Sequence, residues 1–76
     1  MIDDETVPPT PPVWRQPDGG PLSCEEKIKV MNQNWGEIRA LAQDMLEDAV
    51  LMGCDEDQVR AALKRLVDGL TNPYRR

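Results

Sequence analysis

The stretch AVLMGCDEDQV, residues 49–59, contains the end of one predicted helix and the start of another. Gly53 follows a periodic apolar run, at the position where a left-handed residue commonly ends a helix. Asp55 then lies three residues before Gln58, which is the spacing of a capping box at a helix start. Because so few residues separate the two helices, they must be antiparallel neighbours. We therefore predict an all-α fold, an antiparallel helical hairpin.

The first predicted helix extends back from Gly53 over residues 24–52. Ser23 and Glu26 have the spacing of a second capping box, which predicts the start of this helix. Asn34 and Gly36 are weak helix formers, so a break near Trp35 is an alternative. The apolar repeat crosses this site in phase, with alternating spacings of three and four residues, and therefore favours a continuous helix of coiled-coil type. The repeat comprises Ile28, Met31, Trp35, Ile38, Ala42, Met45, Ala49 and Met52.

The second predicted helix covers residues 56–70 and is much shorter. Acidic residues at its start suit the positive end of the helix dipole, and Asn72-Pro73 ends it. One face of this helix is apolar and is predicted to pack on the first helix. That face comprises Val59, Ala62, Leu63, Leu66, Val67 and Leu70.

Residues 1–22 differ sharply in composition from the remainder of the chain. They contain six of the seven prolines, which oppose both helix and sheet interior. We predict an extended, Pro-rich N-terminal arm, with a turn at residues 17–21, and a helical hairpin domain at residues 23–76. Pro8-x-x-Pro11 and Pro9-x-x-Pro12 have the spacing of a Pro-rich docking ligand, a pattern of low specificity. If the arm docks on another protein, Val13, Trp14 and Arg15 are its expected anchors, because Trp and Arg are frequent at binding hot spots.

The unequal lengths of the two helices lead to the functional prediction. At 1.5 Å per residue the helices are about 43 Å and about 22 Å long, so the second ends before it covers the start of the first. Ile28, Met31 and Trp35, continued by Ile38, are thus predicted to lack an intramolecular helix partner. Three covers are possible: a second copy that completes a four-helix bundle, a groove on a partner protein, or the arm of the same chain (with or without a kinked helix).

Composition argues against catalytic and metal chemistry. The chain has 76 residues, no histidine and two cysteines, and a hairpin of this size has no cleft that encloses a substrate. The clustered acidic residues lack the spacing of a calcium-binding loop. Cys24 and Cys54 would lie about 43 Å apart on a continuous helix, so they are not expected to form a disulfide within the chain. We expect no enzymatic activity, no cofactor and no metal site; a redox role for the thiols is a remote alternative.

Charge and hydropathy restrict the class of partner. Nine basic against fourteen acidic residues give a net charge of −5, which disfavours nucleic acid. No apolar run reaches the roughly 18 residues that a membrane span needs, and the acidic start is unlike a secretory signal, so a cytoplasmic protein is expected. The sequence predicts a protein-interaction module, a small accessory subunit or regulatory or inhibitory adaptor that docks through the helix-one stripe and the arm. A structural homodimer is the alternative.

Overall fold

The computed structural model describes residues 10–74 and contains two helices. Helix α1 comprises Glu25–Leu51 and helix α2 comprises Glu56–Asp68. Among the described residues no strand forms, and the one isolated β-bridge joins Arg15 to Pro21. These observations confirm the all-α helical hairpin. Helix α1 continues through Asn34 and Gly36, as the in-phase apolar repeat predicts.

The contacts of the chain divide it into two compact units, with a boundary inside α1. The first unit ends at Ile38 and the second begins at Arg39. The first unit contains the described part of the arm and the first half of α1. The second contains the rest of α1, the connecting turn and α2. The predicted division at residue 22 follows composition rather than contacts, and it stays a prediction.

The turn between the helices has the hydrogen bonds of a Schellman motif. Gly53 has a φ of +96°, in the left-handed region. The Cys54 amide donates to the Ala49 carbonyl at 2.8 Å, and the Gly53 amide donates to the Val50 carbonyl at 3.1 Å. These two bonds satisfy carbonyl groups at the end of α1 that have no intrahelical partner. The predicted left-handed helix end at Gly53 is thus confirmed.

Both predicted helix starts lie within a residue of the observed ones, but only one has the predicted cap. Asp55 caps α2, since its carboxylate accepts from the Gln58 amide at 2.8 Å. Helix α1 begins at Glu25, and the Ile28 amide donates to the Cys24 carbonyl at 3.0 Å. The N-cap of α1 is therefore Cys24, and the predicted cap at Ser23 is wrong by one residue.

The far end of α2 also differs slightly from the sequence prediction. The helix ends at Asp68 rather than at residue 70, because Gly69 follows as the C-cap. The Gly69 amide donates to the carbonyls of Arg65 and Leu66 at 3.0 and 3.2 Å. Glycine is a poor helix former, and here it ends the helix one turn before Pro73.

The second unit has a very small core. Ala49 of α1 and Val59 of α2 are its buried residues, with 6% and 5% of their surface exposed. Half-buried side chains from both helices surround them: Ala42, Leu46, Ala62 and Leu63. Since two small side chains supply little burial, the stability of this unit depends strongly on its turn and its caps.

Two glycine-to-alanine substitutions are expected to change stability in opposite directions. Gly53→Ala places a Cβ on a left-handed residue, which costs roughly 1–2 kcal/mol. Gly36→Ala adds a methyl group in the interior of α1, where it meets no side chain and no backbone beyond its own helical turn within 4 Å, and should add about 0.5–1 kcal/mol of stability. Urea unfolding followed by circular dichroism measures both. Equal effects of the two substitutions would contradict the observed turn.

Candidate protein-binding surfaces

The described part of the arm forms a tight loop that begins at Trp14. The Leu22 amide donates to the Trp14 carbonyl at 2.8 Å, and the Gln16 amide donates to the Gly20 carbonyl at 2.7 Å. Gly19, with a φ of +95°, allows the chain to reverse. The predicted turn at residues 17–21 is confirmed. Pro8 and Pro9, and with them part of the predicted docking motif, lie outside the described residues.

This loop places Trp14 on the first half of α1. The Trp14 Nε1–H donates to Asn32 Oδ1 at 2.7 Å. The Trp14 ring meets the Trp35 ring edge-on, with centroids 5.9 Å apart and an interplanar angle of 69°. Such T-shaped pairs contribute about 0.5–1.5 kcal/mol beyond the area that they bury. A space of about 310 Å³ between arm and helix is bordered by Pro11, Pro12, Val13, Trp14, Leu22, Ile28 and Asn32.

The sequence-predicted binding residues therefore have unequal surroundings. Trp14, Ile28 and Trp35 are half-buried where the arm lies on α1, whereas Val13, Met31 and Ile38 remain exposed. Arg15 is used within the loop, where its guanidinium donates to the Gly19 carbonyl at 3.1 Å. Of the three covers considered for Ile28 and Trp35, the arm of the same chain is the one observed in the first unit. A role for these seven residues in binding another protein stays a prediction.

One polar atom beneath the arm has no hydrogen-bond partner. The Trp35 Nε1 atom is buried and makes no hydrogen bond to any of the described residues. A buried donor without an acceptor costs about 1–3 kcal/mol. Asn32 of α1 thus satisfies the indole of Trp14, whereas the indole of Trp35 has no acceptor among residues 10–74.

A second surface, in the hairpin unit, was not among the residues predicted from the sequence. Leu41 and Met45 of α1, and Met52 in the turn that follows it, are 72%, 46% and 76% exposed. With residues of α2 they line a groove of about 560 Å³, which we call the hairpin groove. Its other lining residues are Asp44, Asp48, Ala49, Cys54, Gln58, Val59 and Ala62. The sequence contains one signal for this groove: Ala62 is too small to cover the long side chains opposite it.

The charged residues along the hairpin unit's concave surfaces are acidic. Asp44 and Asp48 are the charged residues that line the hairpin groove. A smaller groove of about 380 Å³, lined by Leu46, Val50 and Leu51, carries Glu47 and Glu56. Glu56 also accepts from Arg60 at 2.9 Å, in an exposed pair that contributes little stability. Both grooves therefore combine an apolar floor with acidic edges.

The described residues provide little for metal or membrane chemistry. Within residues 10–74, no three cysteine, aspartate or glutamate side chains are placed so that they could hold a metal ion. Neither described helix combines the length and the hydropathy that a bilayer crossing requires. Cys24 and Cys54 are both exposed free thiols.

The position of Cys24 at the N-cap changes its acidity. The backbone amide of Lys27, and then that of Glu26, hydrogen-bonds the Cys24 sulfur, and these bonds hold the pKa of this thiol below its usual value. A lower pKa increases the thiolate fraction at neutral pH, and the thiolate is the nucleophile.

Alkylation should therefore be faster at Cys24 than at Cys54 in the folded protein near pH 7. Iodoacetamide labelling, with peptides resolved by mass spectrometry, gives the two rates side by side in one sample. In concentrated urea the two rates should converge, because the N-cap no longer exists. Equal rates in the folded protein would show that the cap does not affect the thiol.

Comparison with known proteins gives no guide to the function of this chain. No protein-family model matches it, and no match was found among curated proteins or solved structures.

Proposed function

We propose that this protein is a non-enzymatic protein-interaction module, an accessory or regulatory subunit that docks on a larger protein through its hairpin groove. The observation that supports this function is the exposure of Leu41, Met45 and Met52 beside a core of only two buried residues. Methionine is common on surfaces that adapt to a partner, since its flexible thioether fits irregular shapes.

Burial of the groove residues would contribute substantially to association. A fully buried leucine or methionine side chain contributes roughly 1.5–3 kcal/mol relative to an exposed one. Leu41 and Met52 expose about three-quarters of their surface, so most of that contribution is available to a partner. The segment from Leu41 to Met52, which runs along α1 into the turn after it, is about 16 Å long and matches about three turns of a partner helix.

The acidic edges of the groove indicate the chemistry of the partner. Asp44 and Asp48 border the apolar floor, and the net charge of the chain is −5. An amphipathic helix with Lys or Arg beside its apolar stripe complements both features. A second copy of this chain brings the same negative charge, and α1 against α1 would place Asp44 and Asp48 near their counterparts. We therefore assign the groove to a basic amphipathic helix of another protein.

A homodimeric four-helix bundle is the second candidate, supported by the unbroken heptad spacing of α1. Light scattering separates the candidates. If the groove binds a different protein, the purified chain should be a monomer with a mass of 8.6 kDa at every concentration. A stable particle of twice that mass, dispersed by Met45→Asp, would instead assign the hairpin groove to a second copy.

Capture of the native partner tests the groove directly. The full chain is immobilised and exposed to lysate of the source organism, beside the variants Met45→Asp and Val67→Asp. Val67 is 61% exposed on α2 but does not line the groove, so it is the matched control. The expected result is a protein retained by the wild type and by the Val67 variant, lost with the Met45 variant, and released as salt rises. Undiminished retention by the Met45 variant would contradict the proposal.

A further inference from the structure

We propose that the face of α1 formed by Ile28, Asn32 and Trp35 is a binding site for an extended, proline-containing peptide with one tryptophan. In this structure the chain's own Trp14 fills the site. A segment of the same chemistry from another protein binds by displacing the arm. The arm therefore competes with such a ligand within the same chain. This site on the first half of α1 shares no residue with the hairpin groove.

The contacts with Trp14 show the chemistry that the site recognises. Asn32 Oδ1 accepts a hydrogen bond from the Trp14 indole N–H at 2.7 Å, and the Trp35 ring contacts the same indole edge-on. Two contacts of different kinds thus recognise one tryptophan side chain. The prolines at positions 11 and 12 line the adjoining space with Ile28, so the ligand backbone on this side is extended and Pro-rich.

The Trp35 Nε1–H offers an incoming segment a hydrogen bond that the described part of the arm does not make. Within the described part of the chain this buried donor has no acceptor. A ligand that places a carbonyl oxygen beside this N–H gains a hydrogen bond. Its own tryptophan can still make the contacts with Asn32 and Trp35 that Trp14 makes in this structure. One such bond is worth on the order of tenfold in affinity.

The covalent connection of the arm to α1 determines how strongly it competes. Few residues separate Trp14 from the helix start at Glu25, so the effective concentration of Trp14 at its site is on the order of millimolar. A free peptide therefore binds the intact chain weakly. Removal of the Trp14 side chain from the arm should expose the site to a peptide supplied in solution.

Peptide binding to full-length variants tests this proposal. The probe is a labelled synthetic peptide of residues 10–22, measured by fluorescence anisotropy with the wild type and with Trp14→Ala. The expected result is binding at least tenfold tighter to the Trp14→Ala chain, and loss of binding when the peptide itself carries Trp14→Ala. Asn32→Ala, combined with Trp14→Ala in the same chain, should weaken peptide binding severalfold.

A second variant keeps the test valid if Trp14→Ala unfolds the first unit. Trp14→Phe retains an aromatic ring but removes the indole N–H, so it should bind the peptide with intermediate affinity while circular dichroism shows unchanged helicity. Equal, weak binding by every variant would overturn the proposal. Formation of dimers that exchange arms would also overturn it, because the site would then serve a second copy. Neither result involves Met45, so failure here is distinct from failure of the hairpin groove.

Discussion

Replacement of Val59 by aspartate should unfold the hairpin unit. Val59 is 5% exposed and shares the core with Ala49. An unpaired charge at a buried site costs roughly 3–5 kcal/mol, which is comparable to the whole stability of a small domain. The expected result is loss of the circular dichroism signal of α2 and of part of α1 at neutral pH.

Val67→Asp is the matched control for this substitution. It makes the same chemical change on the same helix at a position that is 61% exposed. Because the site is exposed, the loss of stability should stay below about 1 kcal/mol. The expected source of that loss is the unfavourable interaction of a negative charge with the C-terminal end of the helix dipole. If both variants keep full helicity, the small core around Val59 does not hold the hairpin together.

Replacement of Trp35 by alanine should release the arm from α1. A buried Trp→Ala substitution costs about 3–5 kcal/mol, and half-burial of Trp35 reduces the expected loss to about 2–3 kcal/mol. The chain has two tryptophans, so Trp14 is the remaining indole in this variant, and its emission should shift to longer wavelength as it enters water. Urea unfolding and the emission maximum measure the two effects.

A double-mutant cycle isolates the contact between the rings. With Trp14→Ala, Trp35→Ala and the double variant, the coupling energy should be about 0.5–1.5 kcal/mol for an edge-on aromatic pair. The same coupling means that Trp35→Ala should cost less in the Trp14→Ala background than in the wild type, by that amount. Strict additivity would show that the arm does not rest on Trp35 in solution.

The hairpin itself could be predicted from the sequence because its determinants are local. Gly53 at the end of an apolar repeat and Asp55 three residues before Gln58 act within one or two turns, and both function as expected. The cap of α1 was harder to locate because Ser23 and Cys24 are adjacent and both can accept hydrogen bonds from helix amides. A shift of one residue there leaves the apolar pattern unchanged.

The surfaces could not be predicted as well because they depend on contacts between distant residues. The cover of Trp35 is Trp14, which lies in a segment whose prolines indicate an extended chain, and periodicity does not reveal such a contact. The sequence also does not show how little of α1 is buried by α2. The exposure of Leu41 and Met45 follows from small side chains at positions such as Ala62, and becomes evident only when both helices are placed.

Site-specific photo-cross-linking in the native host shows which molecule occupies the hairpin groove. A benzophenone amino acid replaces Met45 in the hairpin groove or, in the control chain, Val67 outside it. We expect a cross-link from position 45 to a different protein, within a helical segment rich in Lys or Arg, and none from position 67. Cross-links from position 45 only to a second copy of this chain, or equal cross-links from both positions, would contradict this expectation.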